Sequence, residues 1–126
     1  MAETASVRQA GRREPPPLDK RIERFVRRYI DSRLKLEIIR TVARHPNQLY
    51  PLRDLAIFTD SQPSEVEHAV FELEHLGLVA TKRQQEDVLT GLSRSPVVRE
   101  TATHLFRYAS QPEGHGRLMK MLRARR

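Results

Sequence analysis

The chain has 126 residues, with 38% hydrophobic and 31% charged side chains and a formal net charge of +7. That size predicts one domain with additional pieces. The lack of any Cys excludes a disulfide scaffold, a Cys-ligated metal site and a Cys nucleophile.

No apolar run reaches the roughly 20 residues that a membrane-spanning helix needs, so no membrane partner is expected. Residues 1–17 carry charge but no apolar stretch of the kind a secretory signal requires. A cytoplasmic location is the expectation. The charge is unevenly spread. The first 30 residues hold eight Lys/Arg against four Asp/Glu, residues 31–76 hold five against eight, and residues 77–126 hold ten against four. Basic ends around an acidic middle raise the local concentration of a polyanion, chiefly nucleic acid.

In chain order, residues 1–17 read as a disordered basic arm ending in Pro15, Pro16 and Pro17. Leu18, Ile22, Phe25 and Tyr29 then recur at helical spacing, with Lys20, Arg24, Arg27 and Arg28 on the opposite face. Leu34, Ile38 and Val42 continue the periodicity as far as Pro46. The two runs are either one helix or two that break at Asp31 and Ser32. Pro51 opens a short helix over about 51–58, with Leu52, Leu55, Ala56 and Ile57 on its apolar side. Pro63 opens the next helix, striped by Val66, Ala69, Val70, Leu73 and Leu76, and Gly77 ends it. Leu78 to Thr81 and Val88 to Leu92 read as strands around a polar loop, 82–87, which makes a hairpin. Ser95 and Pro96 start a helix striped by Val97, Val98, Thr101, Leu105, Tyr108 and Ala109. Residues 110–126, broken by Pro112, Gly114 and Gly116, read as a basic tail. The domain proper is expected over 18–109.

The order helix, short helix, turn, helix, strand, loop, strand, helix is mainly α with a small β-hairpin wing. It is the plan of a winged helix-turn-helix with flanking N- and C-terminal helices. The segment Asp54-Leu55-Ala56, the turn, and the row Val66, Val70, Leu73 and Leu76-Gly77-Leu78-Val79 resemble bacterial repressors of the arsenical-resistance and multiple-antibiotic-resistance type. The resemblance covers about residues 31–109. It implies a cytoplasmic transcriptional regulator that lays the helix from Pro63 to Leu76 in the DNA major groove, with its wing on the backbone.

At 100° per residue, the side of that helix away from Val66 holds Ser64, Glu67, His68, Phe71, Glu72 and His75. Here the sequence departs from the repressor pattern. The helix has no Lys or Arg and carries Glu65, Glu67, Glu72 and Glu74. Carboxylates facing phosphates are repelled. Two readings therefore stand. In the first, double-stranded DNA is the partner. Ser64, Glu67 and His68 read bases, while Lys82, Arg83, Gln84, Gln85, Arg94 and the arm around Arg8, Arg12 and Arg13 supply affinity. In the second, Phe71, Glu72 and His75 form a docking face for a protein partner.

The resemblance further implies a homodimer through residues 18–30 and 97–109, with Ile22, Phe25, Tyr29, Leu105 and Tyr108 at the contact. Its rival is a first helix that folds back on its own domain. His68, Glu72 and His75 share a helical face, but no metal site and no cofactor are expected there. No Gly-rich phosphate loop, G-x-S-x-G or HExxH occurs in the sequence, so no enzyme is expected.

Overall fold

The computed structural model describes residues 20–124. The expected arm over 1–17, Leu18, Arg125 and Arg126 lie outside the described residues.

Helix α1 (Lys20–Tyr29) turns Ile22, Phe25 and Val26 inward. Helix α2 (Arg33–Arg44) follows after a real break. Ser32 is its N-cap, with extended backbone, and its Oγ accepts a hydrogen bond from the Lys35 N–H at 3.2 Å. Leu36, Ile38, Ile39, Val42 and Ala43 are all buried, a stripe too wide for a surface helix. The reason is that α2 is central: α3, α4, α5 and the wing all pack against it.

Pro46 ends α2, and the chain crosses to β1 (Tyr50–Pro51). Helix α3 (Leu52–Thr59) starts one residue after the expected Pro51, which is its N-cap and pairs across the sheet with Leu89. Leu55 and Ala56 are buried, but Ile57 points to solvent, against expectation. Asp60, in the left-handed region at φ 53°, closes α3. Helix α4 (Pro63–His75) then packs on α3, with Ala56 and Ala69 both buried. Small side chains allow two helices to cross closely.

The end of α4 shows the mechanism its sequence implied. Gly77 takes φ 83°. Its N–H donates to the Glu74 carbonyl at 2.9 Å, and the Leu78 N–H donates to the Leu73 carbonyl at 3.0 Å. This pair of bonds is the Schellman arrangement, sealed by Leu73 and Leu78, which are both buried. The chain passes straight into β2 (Val79–Gln84), which pairs antiparallel with β3 (Asp87–Leu92). The expected loop over 82–87 is mostly ribbon. Lys82 faces Leu89, Arg83 faces Val88 and Gln84 faces Asp87, so only Gln85 and Glu86 form the turn. The sheet order is β1-β3-β2, with a third strand that the hairpin reading lacked.

Helix α5 (Pro96–Ala109) is capped by Ser95, whose Oγ accepts from the Val98 N–H at 3.4 Å. Where a basic tail is expected over 110–126, residues 112–124 form a helix. Helix α6 (Pro112–Ala124) buries Gly114, Leu118 and Leu122. Its glycines are not breakers. A Cβ on Gly114 would stand 2.1 Å from the Tyr108 carbonyl oxygen, so this glycine permits a close approach of α6 to the end of α5.

Candidate nucleic-acid interface

The helical phase of α4 is as the apolar spacing required. Val66, Ala69, Val70 and Leu73 are buried, while Ser64, Glu67, His68, Phe71, Glu72 and His75 are exposed. Phe71 retains 41% of its accessible surface and Leu76 42%. The outward row is therefore free to touch a second molecule.

Its charge is partly rearranged by neighbours that sequence reasoning missed. Lys35, buried to 7% exposure in α2, sends its ammonium to Glu72 on α4 and to Asp31 at 2.9 Å. His68 Nε2 lies 3.0 Å from the other Glu72 oxygen. Hydrogen bonding and charge from Lys35 hold the Glu72 carboxyl below its ordinary pKa. Burial lowers the pKa of the Lys35 ammonium, but the bonds to Glu72 and Asp31 and the charges of both outweigh it and the pKa is raised. Glu74 accepts from the Thr81 hydroxyl at 2.6 Å, and Glu65 accepts from the Gln62 N–H at 3.3 Å. Those two bonds fix carboxylates without cancelling their charge. Among the described residues, only Glu67 of the four has no such partner.

The wing carries the opposite sign. Lys82, Arg83, Gln84 and Gln85 are exposed on β2 and its turn. Side chains alternate along a strand, so Lys82 and Arg83 lie on opposite faces of the ribbon. Lys82 lies with Arg94 and Arg99 along one cleft, which Arg83 does not line. Arg53 of α3 reaches Asp87, the first residue after the ribbon's turn, at 3.1 Å and ties the turn end of the ribbon to the helix pair. Arg99 is fixed more firmly. Its Nε donates to the Ser93 carbonyl at 2.8 Å, Nη1 to Asn47 at 3.0 Å and Nη2 to the Pro46 carbonyl at 3.0 Å. Neither Arg53 nor Arg99 stood out in the sequence, since each is one arginine among many and its partner is distant along the chain.

The residues expected at a dimer contact are placed differently. Ile22, Phe25 and Leu105 are buried in the chain's own core, and Tyr29 and Tyr108 are half-buried against it. Helix α1 folds back onto α5 of the same chain, so it is this chain that covers the apolar stripe. The outer face of α1 is basic, with Lys20, Arg24, Arg27 and Arg28 along it.

No protein-family model matches the chain, and no curated protein matches it in sequence. Solved structures do. Reduced HlyU from Vibrio cholerae superposes with a TM-score of 0.59 at 19% identity, over 71% of this chain and 90% of that one. The YusO protein from Bacillus subtilis matches with a TM-score of 0.51 at 15% identity, over 80% and 78%. The transcriptional regulator Tm0710 from Thermotoga maritima matches with a TM-score of 0.51 at 13% identity, over 82% and 80%. At these identities the likeness is one of fold, and it agrees with the crossed helices α3 and α4 followed by a β-ribbon: the chain is a winged helix-turn-helix.

Proposed function

We propose that this chain is a DNA-binding transcriptional regulator whose affinity comes mainly from its wing. One observation carries the reading. The helix pair is followed by a ribbon that exposes Lys82, Arg83, Gln84 and Gln85 on its two faces and turn, with Arg94 beside its base. Cations that contact phosphates release counterions and supply affinity without reading sequence. Ser64, Glu67 and His68 on α4 then contact base edges, with Glu67 accepting from a cytosine amino group. The ion pair with Lys35 offsets one of the carboxylates that would oppose this approach. The transcriptional regulator from Thermotoga maritima, similar in fold, is in keeping with the reading.

Binding of the full chain to duplex DNA, followed by fluorescence anisotropy across a salt series, tests it. Affinity should fall steeply with salt, and Lys82→Ala with Arg83→Ala should lower the logarithmic salt slope by about 2. An unchanged slope in that double variant removes the wing from the interface. A homodimer belongs to the same proposal, but its contact excludes Ile22, Phe25 and Leu105. Light scattering at high protein concentration decides it, and a strict monomer ends the claim.

A second reading has its own observation. Phe71 and Leu76 are large apolar side chains left exposed on α4, among Glu67, Glu72, His68 and His75. Apolar groups ringed by polar ones suit a protein contact. Retained DNA affinity in Phe71→Ala, with loss of a protein partner, supports both faces. Loss of DNA affinity in that variant assigns Phe71 to the DNA contact instead.

A further inference from the structure

A cleft of about 750 Å³ lies between the wing and the loop that joins α2 to β1. It falls within the size range of small-molecule sites. Three cations line it: Lys82 from β2, Arg94 from the segment after β3, and Arg99 from the first turns of α5. No carboxylate lines it. Leu49 and Leu92 add apolar lining, and Leu49 keeps 43% of its surface open to solvent.

Arg99 makes this more than a basic surface. Three of its N–H groups are engaged, all by neutral acceptors: the Ser93 and Pro46 carbonyls and the Asn47 amide oxygen. A guanidinium has five such groups, so two remain. Its plane is fixed, and no carboxylate among the described residues pairs with it, the condition of a pre-organised anion receptor. The Arg94 guanidinium, the two remaining Arg99 N–H groups and the Lys82 ammonium suit a doubly charged oxyanion better than a single carboxylate. The concave shape and apolar lining suit a small organic group better than a duplex.

We propose that this cleft binds a small phosphate monoester, and that its occupancy weakens DNA binding. The second half rests on the function proposed above. Lys82 and Arg94 serve both ligands, and a bound dianion neutralises them before DNA can. The ligand thereby bridges the wing, the start of α5 and the loop after α2.

The test uses the full chain, with phenyl phosphate as the anionic probe and benzyl alcohol as the neutral control. NMR titration at constant ionic strength should show saturable shifts confined to residues 46–49, 80–82 and 92–99 with phenyl phosphate, and none with benzyl alcohol. Arg99→Gln should weaken the probe on the order of tenfold, as expected for a lost charged fork. The same variant should leave duplex DNA affinity unchanged and abolish its sensitivity to phenyl phosphate. If Arg99→Gln loosens the loop that it ties down, the exposed Arg94→Gln serves for the probe measurement alone. Shifts that do not saturate, that fall elsewhere, or that benzyl alcohol reproduces overturn the site. An Arg99→Gln loss that is equal for probe and DNA also overturns it, and makes the cleft part of the DNA backbone contact. Specific probe binding with no DNA binding by the wild-type chain leaves the site standing and removes the regulator function instead.

Discussion

Glu72 on the exposed helix α4 is paired with Lys35, a lysine almost wholly buried on α2. The pair fastens the outward-facing helix to the centre of the domain, with Asp31 as a second acceptor on the same ammonium. With both carboxylates removed, Lys35 would be left as a nearly buried charge without a partner, a costly arrangement.

That tie has a pH signature with two limbs. The Glu72 carboxyl has a lowered pKa, so its stabilisation is complete above the unfolded value of about 4.3 and is lost as pH falls through the folded one. The Lys35 ammonium has a raised pKa, so its contribution is complete below about 10.4 and is lost as pH rises through the folded value. Denaturant unfolding from pH 3 to pH 11 should show a plateau between these limbs. Glu72→Gln should make both shallower. A variant curve parallel to the wild type at every pH would mean that the pair contributes nothing to folding.

The phase of α4 has an equally direct check. Phe71 keeps 41% of its surface in solvent, whereas Leu73, two residues on, is fully buried. Phe71→Ala should cost less than about 1 kcal/mol, the range of surface changes. Leu73→Ala should cost about 2–5 kcal/mol, because it leaves a cavity against α2 and α3. Chemical denaturation measures both. A reversed order would rotate α4 and bury the face assigned here to a partner.

Much of this fold was legible in the sequence where chemistry forces a local conformation. Leu76-Gly77-Leu78-Val79 is the strongest case. Gly77→Ala places a Cβ at φ 83°, and although no atom crowds it, the left-handed backbone alone should cost about 1–2 kcal/mol. Thermal unfolding should show that loss without any change in the wing's register.

What stayed illegible is what depends on distant partners. A two-residue strand, Tyr50–Pro51, has no period to detect and is defined by its pairing with Leu89 and Thr90. The stripe Ile22, Phe25 and Leu105 signals an apolar face but not whether the same chain or a second copy covers it. Lys35 is one more cation on a periodic run until Glu72 is brought to it by packing. Arg99 likewise acquires its role from Asn47, 52 positions away in sequence. Candidate site residues on α4 and the wing could be placed on faces by periodicity, but the shared cleft of Lys82, Arg94 and Arg99 exists only once the ribbon, the segment after it and the loop after α2 come together.

Helix α6 offers the sharpest contrast, because its two glycines look alike in sequence and differ in surroundings. Gly116 has open space where a Cβ would stand, so Gly116→Ala should stabilise the helix by up to about 1 kcal/mol through propensity alone. Gly114 stands against the backbone of Tyr108, and its added Cβ would meet the carbonyl oxygen at 2.1 Å and the carbonyl carbon at 2.9 Å. Backbone atoms cannot rotate away as a side chain can, so α6 must shift off α5. That shift strips cover from Leu118 and Leu122, and Gly114→Ala should cost at least about 1–3 kcal/mol, the range for overpacked cores. Thermal melts of the two single variants should therefore move in opposite directions. If both rise, α5 and α6 do not approach as closely as described, and the C-terminal helix is held by its side chains rather than by backbone contact at Gly114.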